Sequence, residues 1–165
     1  MKLKNLFSTG LTWFWIAVLV LFLDRITKTL ALTYLTLYEP LPILPIFNLT
    51  LWTNKGMAFS FLSAASGWQN LFLGGLAATI CILILVWLYR LSVRQWWMSI
   101  ALCFIFGGAM GNLWDRIMYG SVIDFLHFHI GVWSWPIFNV ADGAICIGAA
   151  MVFWRWMRET RHSAK

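Results

Sequence analysis

Two aspartates occupy positions where a charge is costly and can do chemistry. Asp142 sits inside an apolar run from about Trp135 to Trp154. A carboxylate there costs roughly 2.5 to 3.5 kcal/mol on membrane-insertion scales and marks a functional site by default. The twelve residues from Asp142 to Trp154 would span about 18 Å as helix, which places the carboxylate toward one end of the run. Asp124 lies in Val122-Ile-Asp-Phe125, just beyond another apolar run, so the two carboxylates can meet at one interface. Within about 3 Å of each other they cannot both ionise, and the pair can then work as acid and base together. In an aspartyl hydrolase one carboxylate takes a proton from water while the other donates to the carbonyl oxygen. The same residues also suit a small proton- or cation-coupled carrier, or Asp142 could form a structural ion pair with Arg116.

The neighbours of this pair are suggestive. Phe138-Asn-Val-Ala141 supplies an amide, Asn139, that can orient Asp142, and a small residue, Ala141, that permits close approach. Gly107-Gly-Ala-Met-Gly111 ends the run before Asp124 and has the small side chains that let membrane helices approach. Asn112, Asp115 and Arg116 follow; Arg116 could hold a lipid phosphate or a substrate carbonyl, or pair with Asp115. Other chemistries have less support. Asp124, His127 and His129 form an Asp-x-x-His-x-His spacing, but no second cluster closes a metal site, and the histidines read better as the edge of a strand. Ser60 and Lys55 could be assembled into a dyad, as such residues can in any chain of this size. No HExxH, P-loop or nucleotide fingerprint is present, and no metal or cofactor is expected.

The elements that must position these residues belong in lipid. Of 165 residues, 61% are hydrophobic and only 18 are charged, with twelve Trp and thirteen Phe. With a mean hydropathy of +0.77, there is too little polar surface to coat a soluble monomer, whereas a bilayer accepts an apolar exterior and aromatic belts. The net charge of +6 does not indicate nucleic acid, because the basic residues are scattered singly at the ends of apolar runs. Cys81, Cys103 and Cys146 lie in apolar runs without CxxC spacing and read as buried thiols.

A bilayer core about 30 Å thick needs about 20 apolar residues as helix, and four windows qualify: 11–32, 69–89, 95–114 and 135–154. The first could be a cleaved signal peptide, but no small-x-small site follows Leu23. Four spans put both termini on one side. If that side is the cytoplasm it holds Lys2, Lys4, Arg90, Arg94, Arg155, Arg158, Arg161 and Lys165 with Glu159, for +7. The outside then holds four basic and five acidic residues, for −1, as the positive-inside rule requires. Two segments, 39–62 and 117–132, fall on the outer face. Pro40, Pro42 and Pro45 break helix in the first, Ile46 to Thr53 alternates at strand period, and the second is similar around Val122 to Ile130. The expectation is a single integral membrane domain, all-α in class, with four transmembrane helices and a small outer β platform.

These residues resemble one family, the bacterial lipoprotein signal peptidases (signal peptidase II). Five motifs carry the resemblance, in order: Asp24-Arg-Ile-Thr-Lys28, Asn54-Lys-Gly-Met-Ala-Phe-Ser60, Gly107-Gly-Ala-Met-Gly-Asn-Leu-Trp-Asp-Arg116, Val122-Ile-Asp-Phe125 and Phe138-Asn-Val-Ala-Asp142. The resemblance implies a monomeric aspartyl endopeptidase of the bacterial inner membrane with its site near the periplasmic face. Such an enzyme cuts diacylglyceryl-modified prolipoproteins on the amino side of the lipidated cysteine. It makes Asp124 and Asp142 the catalytic pair and places Asn54, Gly56, Asn112, Arg116, Asn139, Ala141, Asp24 and Lys28 in motifs around substrate. Membrane lipid is an expected partner, and globomycin an expected inhibitor in the same groove. Arg25 stands where the family commonly has Gln, and Met57 where it has Ala; neither is expected to touch the carboxylates, so they leave the reaction class intact and bear at most on local packing. The outer strands would hold the peptide extended, with its backbone groups paired.

Overall fold

The computed structural model describes residues 6–56 and 68–163. After two short 3-10 turns, Leu6–Ser8 and Gly10–Trp13, the chain forms helix α1 (Trp15–Tyr34) and strands β1 (Pro40–Leu44) and β2 (Phe47–Asn54). Helices α2 (Trp68–Arg90) and α3 (Trp96–Tyr119) follow, then β3 (Val122–Ile130), β4 (Trp133–Ser134) and α4 (Val140–Ser163). Residues 57–62 of the first outer segment, with Met57 and Ser60, and the basic residues Lys2, Lys4 and Lys165 lie outside the described residues.

Two helix boundaries depart from the apolar windows: tertiary contacts carry the chain past or short of them, and local caps, Gly120 after α3 and Asn139 before α4, fix where each helix stops or starts. Helix α3 continues past the uncharged window, through Asp115 and Arg116, because Asp115 is fully buried and ion-paired. It closes where the Gly120 N–H donates to the Arg116 carbonyl at 3.2 Å. Helix α4 starts at Val140, five residues after the apolar run opens at Trp135. The intervening residues are drawn out along β3: the Trp135 N–H donates to Phe128 O at 2.9 Å, and Leu126 and Phe138 exchange backbone bonds at 2.8 and 3.1 Å. An apolar run is equally acceptable as helix or extended chain, and here the neighbouring strand decides.

Helix α3 is the axis of the bundle and packs on α1, α2 and α4. Of its spanning window 56% is buried, against 22% for α2 and 17% for α4. Backbone proximity makes this possible: a Cβ on Gly108 would press into the Ala141 carbonyl and lie 2.8 Å from Ile145 Cγ1 on α4. The apolar core joins Ile16, Ala17 and Val20 of α1 with Ile84 and Leu88 of α2, Leu102 and Cys103 of α3, and Ala144 of α4.

The four strands form one antiparallel sheet in the order β1-β2-β3-β4. Pro40 and Pro42 fall on β1, at the sheet edge, the place where a missing N–H costs no ladder bond. The same prolines make that edge a poor template for an added strand. A small cluster of Ala31, Leu51, Ile123 and Phe125 fixes the sheet to α1.

Polarity is inverted relative to a water-soluble protein. Lys28, Asn139, Asp24, Asp115 and Asp124 are among the largest fully buried side chains, while Leu71 (79%), Ile82 (62%) and Phe22 (58%) are exposed. Such an arrangement is stable where the solvent is hydrocarbon. Helices α2, α3 and α4 are long and apolar enough to cross a membrane. Helix α1 carries Asp24, Arg25 and Lys28 within its 20 residues and falls outside that class, so length and composition support three of the four expected crossings.

The contact between α3 and α4 predicts that Gly108→Val destabilises the protein by about 1–3 kcal/mol through overpacking. Gly75, with nothing within 4 Å of its Cβ position, should tolerate Ala with no loss. Thermal unfolding of both variants in detergent distinguishes the two effects.

Candidate active site

Asp124 is placed by β3, with 1% of its surface exposed. Asn54, at the end of β2, donates from Nδ2 to Asp124 Oδ2 at 3.0 Å. The amide faces this way because its own oxygen is occupied by the Gly56 N–H, at 2.9 Å. Gly56 turns that N–H back by adopting φ +92, a conformation that side chains disfavour.

Asp142 is placed by the start of α4. Asn139 caps that helix: its Oδ1 accepts from the Asp142 N–H at 2.9 Å, and the Asn139 N–H donates to Asp142 Oδ2 at 3.2 Å. These are the reciprocal bonds of a capping box. The signature was present in the sequence as an Asn followed three residues later by an acid. Capping uses the Asn139 oxygen and leaves its Nδ2 for Asp124 Oδ1, at 2.6 Å. A single asparagine thus touches both carboxyl groups. Asn112 on α3 completes the set, donating from Nδ2 to Asp142 Oδ1 at 2.8 Å. Its oxygen is held by Lys28 Nζ at 3.1 Å.

Behind the pair lies a cluster of four charges. Lys28 Nζ sits 3.1 Å from Asp24 Oδ2 and 2.7 Å from Asp115 Oδ2, and all three side chains are within 1% of full burial. Arg25 Nη2 approaches the same two acids, at 2.8 Å from Asp24 Oδ2 and 2.7 Å from Asp115 Oδ1. The network leaves no room on α3, where a Cβ on Gly111 would lie 2.5 Å from Asp24 Oδ2.

Asp124 and Asp142 each accept two N–H groups, and among the described residues neither forms an ion pair. Burial, followed by the Asp142 charge, pushes the Asp124 carboxyl up to about 6, against hydrogen bonds from Asn54 and Asn139 and the Lys28 charge. A buried carboxyl that titrates near neutrality is suited to acid–base work.

The structure therefore gathers Asn54, Asn112, Asn139, Asp124 and Asp142 at one end of the helices, with Gly56 and Ala141 supporting them. Ala141 is fully buried, and its N–H donates to Asp24 Oδ1 at 3.1 Å. Asp24 and Lys28 stand behind the pair, buried. Arg116 is half-buried, with Nη1 donating to Asn112 O at 3.2 Å. It makes no ion pair among the described residues, and Asp115 pairs with Lys28 and Arg25 instead. The histidines do not join Asp124: odd positions of β3 face away from even ones, and His127 bonds to Thr50 and Ser134. Arg25 and Asp115 were not among the expected site residues. The signal that could have found them is charge balance, since α1 carries two cations, Arg25 and Lys28, against one acid, Asp24, and a second acid is needed to neutralise them.

Comparison with known proteins agrees with this architecture. A lipoprotein signal peptidase of Yersinia enterocolitica is 50% identical over 149 residues, covering 90% of this chain and 88% of that protein. Two solved structures of bacterial membrane enzymes, determined by the in meso method, superpose with TM-scores of 0.77 and 0.79 at 28% and 29% identity. They cover 88% and 90% of this chain, and 92% and 89% of their own. The model of the family described as signal peptidase (SPase) II matches residues 16–158, and the chain, a membrane-embedded peptidase, belongs to that signal peptidase II family.

Proposed function

We propose that this protein removes signal peptides from prolipoproteins by aspartyl hydrolysis, cutting on the amino side of a diacylglyceryl-modified cysteine. The observation that carries this reading is the pair Asp124 and Asp142. Both are held by neutral N–H donors, share Asn139 and, among the described residues, lack an ion-pair partner, an arrangement suited to proton exchange. Family membership and the curated relatives supply the substrate class. Nothing observed favours a carrier that uses the same residues.

In the proposed reaction one carboxylate takes a proton from water as its oxygen attacks the carbonyl before the cysteine, while the protonated partner donates to the carbonyl oxygen. The tetrahedral diol then collapses: the C–N bond breaks, the cysteine nitrogen takes a proton, and a carboxylic acid remains on the signal peptide. Asn54, Asn112 and Asn139 hold the carboxyl groups through this exchange, and Gly56 and Ala141 let the chain approach. Arg116, whose guanidinium is not spent on an acid among the described residues, is assigned to the lipid phosphate or carbonyl side of substrate. Globomycin would block the same groove.

The proposed setting is the bacterial inner membrane, crossed four times by a monomer in a single domain. Helix α1 serves as the fourth crossing because its charges turn inward while Val18, Phe22, Leu23 and Ile26 are exposed. Both termini lie with Arg90 and Arg94 on the cytoplasmic side. The site faces the periplasm, at the depth of a lipid-anchored cysteine.

Three outcomes follow for purified protein and a synthetic diacylglyceryl prolipoprotein peptide. Asp124→Asn and Asp142→Asn should each lower the cleavage rate by about 10²–10⁴-fold; wild-type turnover in either variant excludes the mechanism. Asp124→Asn should also gain stability relative to wild type as pH rises. The carboxyl titrates at about 6 when folded against 3.8 otherwise, so keeping it ionised costs stability, increasingly as pH rises from 3.8 to 6. The gain is about 3 kcal/mol at most and vanishes below about pH 4, which thermal melts across pH can follow. Arg116→Ala should raise KM about tenfold or more, with the larger effect on KM than on kcat.

A further inference from the structure

The two acids behind the site each do a second job, and the two jobs match. Asp24 Oδ1 accepts the N–H of Ala141, at 3.1 Å, one residue ahead of Asp142. Asp115 Oδ2 accepts the N–H of Ile123, also at 3.1 Å, one residue ahead of Asp124. Both acids are bridged by the same two cations, Lys28 and Arg25. We infer that Arg25 and Asp115 are positioning residues for the catalytic pair, members of a four-charge clamp that sets where β3 and α4 stand relative to each other.

Lys28 alone cannot do this. An ammonium has three donors, and those of Lys28 are taken by Asp24, Asp115 and Asn112. Asp115 Oδ1 is approached only by Arg25 among the described residues. Without Arg25 two buried carboxylates face one ammonium, and the neutral cluster acquires a charge of −1 in a medium that screens it poorly.

The clamp also acts on the pair through its charge. The charged groups nearest the two aspartates are Asp24 and Lys28 from α1 and Arg116 from α3, with Arg25 of α1 and Asp115 of α3 joined to them in the cluster. Helix α4 contributes Asp142 and β3 contributes Asp124; β2 offers the uncharged Asn54, and Lys55 beyond it is exposed. Arg90, the charged residue of α2, lies at its far end, and His127 and His129 lie on the other face of β3. Loss of a cation from this set favours protonated carboxyls, and loss of an anion disfavours them.

This inference rests on the reading of Asp124 and Asp142 as catalytic, so the experiment contains a separate control. The dependence of kcat on pH is measured with the diacylglyceryl peptide for wild type, Arg25→Gln, Arg25→Lys and Asp115→Asn, alongside Asp124→Asn and Asp142→Asn. In Arg25→Gln the limbs of the profile are expected to move up by about half a pH unit or more, and in Asp115→Asn down by a similar amount. Arg25→Lys keeps the charge, so its limbs stay in place. A variant that only loses folded protein lowers kcat without moving the limbs. Unmoved limbs in Arg25→Gln and Asp115→Asn, or movement of both in one direction, would overturn the clamp. If Arg25→Gln does not fold, Asp115→Asn decides: a downward shift supports the clamp and no shift overturns it. Activity in Asp124→Asn or Asp142→Asn would instead remove the catalytic reading and leave the clamp a structural feature.

Discussion

The ammonium of Lys28 is buried to 1% exposure in a helix whose outer face is apolar, and the rest of the site is arranged around neutralising it. A lone charge in such a place costs several kcal/mol, and breaking a buried pair by removing one partner costs about 3–5 kcal/mol. Asp24 supplies a counter-charge from the same helix, and Asp115 supplies another from α3, with Arg25 balancing the second acid. Each acid has an oxygen lone pair to spare, and these go to the first turn of α4 and the start of β3. The third donor of Lys28 goes to Asn112. One buried cation thereby ties together α1, α3, α4 and the sheet, the four parts from which the site is built.

A consequence is that the asparagines have no freedom to flip. Asn54, Asn112 and Asn139 each have the side-chain oxygen occupied by a donor: the Gly56 N–H, the Lys28 ammonium and the Asp142 N–H. Each amide nitrogen must then face a carboxyl group, and each does. Two acids close enough to influence one another are thus kept in place by donors that do not neutralise them. Such a site costs stability at neutral pH. The costly arrangement is also the one that suits the proposed reaction, because a carboxyl that resists ionisation can hold a proton for transfer.

The same logic explains why the fold suits a membrane. Polar groups that would be costly against lipid are collected on the inner surfaces of α1, α3 and α4, and leucine, isoleucine and phenylalanine are turned outward. Hydroxyls on the outer side of α1 are satisfied within the helix, Thr27, Thr29 and Thr33 donating to the carbonyls four residues back. The central position of α3 follows from its small residues, which let two neighbouring helices approach its backbone.

Much of this could be read from the chain itself. Runs of about twenty uncharged residues announce the helices, three prolines announce an extended segment, and an aspartate in an apolar run announces a candidate site. All are local signals, since the cost of a charge or a missing N–H is incurred where the residue stands. The sequence did not show that residues after Trp135 would run beside β3 before α4 begins, or that Asp115 would turn to Lys28 and Arg25 and away from Arg116. Nor did it show which way each asparagine amide would face. Those outcomes rest on contacts between separate elements, some of them far apart in the chain, such as Asn54 with Asp124, 70 positions apart, and Lys28 with Asn112, 84 positions apart. They exist only once packing has brought the partners within hydrogen-bond reach. The sequence by itself determined which residues were too polar to face lipid; the tertiary structure decided which of them would neutralise one another and which two carboxyl groups would be held by neutral amides instead.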